Sequence, residues 1–193
     1  MRNITQHAVL AMALVIAGAT PALAQDDMHM KMAAPMVGGQ SMLPARDIID
    51  NAVNSADHTT LVAAVKAADL VGTLKGKGPF TVFAPTNAAF SLLPAGTVSS
   101  LLEPANKGML TKVLTYHVLS GSYDAKALMK AIHDGHGKAM LKTVAGETLT
   151  FTMNGERNIT VTDAKGGVAN ISTYDVYQSN GVIHVIDNAL LPG

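Results

Sequence analysis

The sequence predicts an α+β fold, with helices in its first half and antiparallel strands in its second. Three observations carry this. Between residues 48 and 132, apolar side chains recur at i, i+3 and i+4, the spacing of one helix face. From Thr148 onward they alternate with threonine, the two-residue period of strands. Asn154-Gly155 and Gly166-Gly167 then supply turns between successive strands. No segment repeats, so a single copy of one domain is expected.

The chain opens with Arg2, an apolar run from Ala8 to Ala17, breakers at Gly18 and Pro21, and Ala22-Leu23-Ala24. That is the layout of a secretory signal peptide cleaved after Ala24. The run is shorter than the about 20 apolar residues that a membrane span needs. Residues 25–44 read as a flexible leader, rich in Met and broken by Pro35, Gly38, Gly39 and Pro44. The folded domain is expected over residues 45–193.

Ile48, Ile49, Ala52 and Val53 form one face of a short helix. Asp57 reads as an N-cap, Leu61, Val62, Val65 and Ala68 as the next buried stripe, and Gly72 as its stop. Lys75-Gly76-Lys77-Gly78 turns the chain into a strand over Pro79–Pro85. Thr86 or Asn87 caps a brief helix carrying Phe90. Val98 to Leu102 makes a helical turn. Pro104 suits the first turn of a helix running to about Leu114. The chain is expected to extend over 115–119, then to form a helix capped by Asp124 with Leu128, Met129 and Ile132 inside. Strands follow at 148–153, 159–162, 168–176 and 181–186.

Composition excludes several functions. The chain has no cysteine, which removes disulfides, thiolate metal sites and thiol nucleophiles. Net charge is zero and there is no Lys/Arg run or tryptophan, so a nucleic-acid footprint and a polybasic membrane patch are both missing. No second apolar stretch is long enough to span a membrane.

Three segments in order carry a family resemblance. They are Gly78-Pro79-Phe80-Thr81-Val82-Phe83-Ala84-Pro85-Thr86-Asn87-Ala88-Ala89-Phe90, then Leu114-Thr115-Tyr116-His117-Val118, then Ser179-Asn180-Gly181-Val182-Ile183-His184-Val185-Ile186-Asp187. They resemble the first homology box, the Tyr-His motif and the second homology box of the fasciclin (FAS1) domain. The resemblance covers essentially all of residues 45–193. It implies an antiparallel β-sandwich or wedge flanked by several helices, mostly from the N-terminal half, with the two boxes as neighbouring core strands. On those boxes Thr81, Phe83, Pro85, Thr86, Asn87, Phe90, Tyr116, His117, Asn180, Gly181, His184 and Asp187 become fold-motif residues.

The resemblance implies a secreted, non-catalytic binding or adhesion module, periplasmic or extracellular, whose partner is a protein or polysaccharide of a cell surface, matrix or envelope. Animal matrix members carry an adhesion peptide just before the second box. Here only Asp175 and Val176 match it. His117 and His184 sit in apolar, strand-like surroundings without a nucleophile motif, and read as buried structural histidines rather than general bases. No enzyme and no resident cofactor are expected.

Two alternatives remain. Members of the family hold lipids or pigments between helices and sheet, and Met109, Met129 and Met140 are candidates for lining such a groove. Met28, His29, Met30 and Met32 put thioethers and an imidazole in the leader, a donor set that suits copper(I). His133 and His136 form a second, weaker pair of metal-ligand candidates. Asn158-Ile159-Thr160 and Asn170-Ile171-Ser172 match the glycosylation acceptor pattern.

Overall fold

The structure is a computed structural model that describes residues 34–193. The expected signal peptide and the leader candidates Met28, His29, Met30 and Met32 lie outside the described residues.

The packed body begins before Ala45. A small hairpin, β1 (Met36–Val37) and β2 (Gln40–Ser41), comes first. Val37 and Met42 are both buried in the core. Residues 36–42 therefore belong to the fold, because their apolar side chains close one end of it. α1 (Ile48–Ala52) follows, capped by Asp47, whose side chain accepts from the Asp50 N–H at 2.8 Å.

Asp57 lies in a single 3₁₀ turn (Ala56–His58), so it does not cap α2 (Thr59–Ala67). Leu61, Ala64, Val65 and Ala68 bury the inner face of α2. Its end is made by Asp69, in the left-handed conformation at φ 60°, not by Gly72, which lies inside α3 (Val71–Leu74).

β3 (Phe80–Pro85) runs into α4 (Asn87–Ser91), and Thr86 is the cap, accepting from the Ala89 N–H at 3.2 Å. α5 (Thr97–Leu101) and α6 (Lys107–Tyr116) complete the helical half. The expected strand over 115–119 shrinks to β4 (Val118–Ser120), because Thr115 and Tyr116 stay in α6. α7 (Ala125–Asp134) is capped by Asp124, which accepts from the Ala127 N–H at 2.7 Å. Then come β5 (Lys138–Lys142), β6 (Thr148–Asn154), β7 (Asn158–Thr162), β8 (Val168–Gln178) and β9 (Gly181–Ile186).

Seven strands make one sheet in the order β4-β3-β9-β8-β7-β6-β5. All neighbours are antiparallel except β3 and β9, which pair in parallel with Val82 opposite Ile183 and Ala84 opposite Val185. The two homology boxes are thus adjacent, as the resemblance implied, but run the same way. A bridge between Leu119 and Thr143, with the Val144 N–H donating to the Val118 carbonyl at 2.8 Å, joins the two ends of the sheet.

Alternation along β3 and β9 divides the interior in two. Val82, Ala84, Ile183 and Val185 pack against α1, α2 and α6, through Ile48, Leu61, Val65 and Leu114. Phe83 and Ile186 point the other way, into a cluster with Tyr116, Leu128, Phe151, Val161 and Leu190. Phe83 and Phe151 lie 5.3 Å apart by ring centroid. Both faces of the central pair are therefore core.

The β3–β9 junction leaves no room for side chains. A Cβ at Gly181 would lie 2.1 Å from the Phe80 carbonyl oxygen, and one at Gly78 would lie 1.9 Å from that of Asn180. Gly181→Ala must push two hydrogen-bonded backbones apart. It is expected to lower stability by about 1–3 kcal/mol, the range for overpacking, as read from the urea midpoint. An unchanged midpoint would remove the close approach as a constraint.

Candidate functional site

The chemistry-bearing side chains gather around the two boxes, and the first question is what holds each. His117 follows the last residue of α6 and is 2% exposed. Its Nδ1–H donates to the Val113 carbonyl at 2.8 Å, and Nε2 accepts from the Leu190 N–H at 3.0 Å. Both ring nitrogens are spent on backbone, tying the end of α6 to the C-terminal segment. Burial lowers its pKa to about 4, against a partial offset from the Val113 carbonyl.

His184 is fully buried on the opposite face of β9 from Ile183 and Val185. Its Nε2–H donates to the Tyr123 carbonyl at 2.8 Å, and Nδ1 accepts the Asp175 N–H at 3.4 Å. The ring stacks on Phe83 at 5.5 Å and meets Tyr174 edge-on. Burial lowers its pKa too. Neither imidazole has a nitrogen free for proton transfer.

Asp175 and Val176, the candidate adhesion pair, sit at an irregularity in β8. Asp175 takes the left-handed conformation at φ 55°, and its carboxylate accepts from the Ala125 N–H at 2.7 Å. Val176 is 1% exposed and belongs to the first core cluster. The pair therefore ties α7 to β8, and Val176 presents no surface.

The other motif residues work as connectors. Thr81 Oγ1 donates to the Gly121 carbonyl and accepts the Tyr123 N–H, each at 2.8 Å. Asn87 reaches back to α2, accepting the Thr60 N–H at 2.9 Å and donating to the Ala56 carbonyl at 2.9 Å. Tyr116 OH donates to the Thr148 carbonyl and accepts the Ala164 N–H, at 3.2 and 2.9 Å. Asn180 accepts the Ile48 N–H and donates to the carbonyls of Leu74 and Gly76. Asp187 grips Asn170 through both oxygens. Pro85 ends β3 in the core, Phe90 packs in the first cluster, and Gly181 makes the close crossing.

Two residues of consequence have no place in the motifs. Asp163 is 8% exposed and accepts from the N–H groups of Lys165, Gly167 and Leu191. Asp followed by Gly166-Gly167 is an Asx-turn pattern that could have revealed it. His58 is the other. Its Nδ1 shares a 2.9 Å hydrogen bond with Ser55 Oγ. Its buried Nε2 has no partner among the described residues; burial lowers the pKa, and the nearby Ala84 carbonyl offsets this without closing a hydrogen bond. His58 borders an apolar cavity of about 50 Å³ between the helices and the sheet, along with Met42, Val65, Val82 and Ile183.

Outside the core, the turn between β8 and β9 edges a groove of about 650 Å³, lined by Lys75, Lys77, Ser122, Tyr177 and Ser179. Lys75 is bonded to Asp50 and lies 3.5 Å from Asp47. Lys77 has no carboxylate partner among the described residues. Met109 and Met140 are exposed, so they line no interior groove. Among the described residues, no three His, Asp or Glu side chains come together to hold a metal, and no helix is long and apolar enough to cross a membrane.

The sequence pattern of the Fasciclin domain matches residues 56–192. The chain belongs to the fasciclin domain family. It is 43% identical over 172 residues to Protein sll1483 of Synechocystis, covering 89% of this chain and 88% of that protein. It is 35% identical over 146 residues to the Immunogenic protein MPB70 of Mycobacterium bovis, covering 73% and 66%. Its fold matches a FAS1 domain pair of the insect cell adhesion molecule fasciclin I, with a TM-score of 0.66, 20% identity, and 76% and 51% of the two chains covered. The fasciclin boxes of this chain thus supply mainly connectors, and the exposed groove lies at their border.

The two motif histidines fix a pH dependence. Both have pKa values depressed by burial, so the unfolded chain binds more protons than the folded one below the ordinary histidine value. Their contribution is complete above about pH 6.5 and is lost as pH falls towards 4, where His117 titrates in the fold. His117 alone accounts for up to about 3 kcal/mol over that interval. Urea denaturation from pH 7 to 4.5 should show stability falling, with a shallower slope in His117→Gln; a flat profile would contradict the buried neutral rings.

Proposed function

We propose that this chain is an exported, non-catalytic recognition module of the fasciclin type that binds a protein or polysaccharide of a cell surface or envelope. The observation that carries the reading is the open groove at the β8–β9 turn. Tyr177 is 43% exposed there, an aromatic face held beside Asp124 through its hydroxyl at 3.4 Å. Lys77, which has no carboxylate partner among the described residues, adds a cation, and Ser122 and Ser179 add hydroxyls. An amphipathic ring ringed by hydrogen-bonding groups suits a polar surface partner.

Other features support the reading. Insect fasciclin I is itself a cell adhesion molecule. His117 and His184 carry no open nitrogen, which argues against acid–base chemistry at the motifs. The charged, apolar and small-residue segments of the first 24 residues support export.

The test uses beads coated with the full chain and envelope fractions of its own host. Binding is expected to fall by more than tenfold in Tyr177→Ala/Lys77→Ala. Protease treatment of the fraction identifies a protein partner, and periodate oxidation a polysaccharide. Equal capture by the variant would overturn the groove as the binding surface.

A second reading, carriage of a small apolar molecule, has its own observation in the His58 cavity. A buried imidazole nitrogen without a partner among the described residues lacks about 1–3 kcal/mol of compensation, which a ligand with one polar end would restore. A 50 Å³ space takes the end of a larger molecule, since a cavity of about 150 Å³ is needed to enclose even benzene. Decanol is expected to raise the thermal midpoint of the full chain, and His58→Leu to abolish that rise. No rise at saturating decanol would sink this reading.

A further inference from the structure

We propose that the groove between the end of α7 and β6 binds monovalent copper. The groove has a volume of about 590 Å³ and is bordered by Met129, His133, His136, Met153 and Glu156. Two thioethers, two imidazoles and one carboxylate thus share one concavity, and no ionisable residue of the fasciclin boxes borders it.

The fold itself brings these donors together. Met129 and His133 are four residues apart on α7, so they lie on one face, one turn apart. Beyond the helix, the Gly137 N–H returns to the Ile132 carbonyl at 2.8 Å and closes the turn. That closure holds His136 in the left-handed conformation at φ 56°, a position glycine would fill at less cost. Met153 comes from β6, where it pairs with Ile159 of β7. Met129 and Met153 are half-buried and pack against the second core cluster, which fixes their stems.

The donors are also uncommitted. The His136 imidazole makes no hydrogen bond among the described residues, its backbone N–H alone donating to the His133 carbonyl at 3.0 Å, and His133 only approaches Asp134 at 3.8 Å across a 91% exposed side chain. Harder divalent ions prefer oxygen and nitrogen donors, and His133, His136 and Glu156 border the groove without converging on one point. Thioether sulfur with imidazole nitrogen selects copper(I) among the first-row ions. Glu156, in the β6–β7 turn, adds negative charge at the rim. The site is separate from the leader methionines and does not rest on the recognition reading.

Anaerobic titration of the full chain with copper(I), in competition with the chromophoric chelator bicinchoninate, tests this. One copper per chain should be withheld from the chelator at the groove. The ring resonances of His133 and His136 and the methyl resonances of Met129 and Met153 should move together. Met129→Leu/Met153→Leu keeps side-chain volume and so keeps the fold. It and His133→Ala/His136→Ala should each weaken groove binding by more than the about tenfold that losing an outer-shell partner costs. Met28→Leu/His29→Ala/Met30→Leu/Met32→Leu should leave those resonance shifts intact. No withheld copper, groove variants that bind like the parent chain, or shifts that vanish in the leader variant would each overturn the proposal.

Discussion

The pairing of β3 with β9 governs this structure, because both strands are covered on both faces. A strand in that position cannot turn polar side chains to water. Every polar group on it must find a partner inside the protein. Thr81 and His184 obey that rule through the same loop, since Thr81 bonds Gly121 and Tyr123 while His184 bonds Tyr123. One constraint therefore fixes the loop from β4 into α7, and with it the start of α7.

The same logic explains why the motifs consist of connectors. His117 joins α6 to the chain end, Asn180 joins α1 and α3 to the β8–β9 turn, and Asp163 joins the β7–β8 turn to Leu191. Apart from the His117–Val113 bond, which spans 4 residues, these bonds span from 28 to 132 residues of sequence. Losing one partner leaves the other buried and unpaired, at about 1–3 kcal/mol. The surface is freed to vary, and recognition can reside in grooves that the connectors only border.

Much of this was legible in the sequence. The threonine-apolar alternation of 148–162 yielded β6 and β7, because one face is core and the other is wet. Asp124 read as a cap and is one, and of the two candidates Thr86 and Asn87 it is Thr86 that caps. What stayed hidden depended on distant contacts. Tyr116 looked like strand because its neighbours are apolar and β-branched, yet its hydroxyl is held by Thr148 and Ala164 from the end of α6. β5, Lys138-Ala139-Met140-Leu141-Lys142, has only Ala139 fully inside, so its period carries little hydrophobic signal. Asp69 ended α2 where glycine was expected, since aspartate tolerates left-handed backbone. The His58 cavity could not be read from spacing, and the α7–β6 groove only through His133 and His136, because their other walls come from elements far apart in the chain.

The bridge between Leu119 and Thr143 has a consequence for how copies of the protein meet. A sheet that ends in bare strands offers a template on which another chain can add. Here the two ends are laced to each other, and the uncovered stretch of β5 begins and ends in lysine. Crowded neighbours would meet mutual charge repulsion instead of a vacant backbone ladder. Such a domain can be displayed at high density without its sheets fusing into fibres.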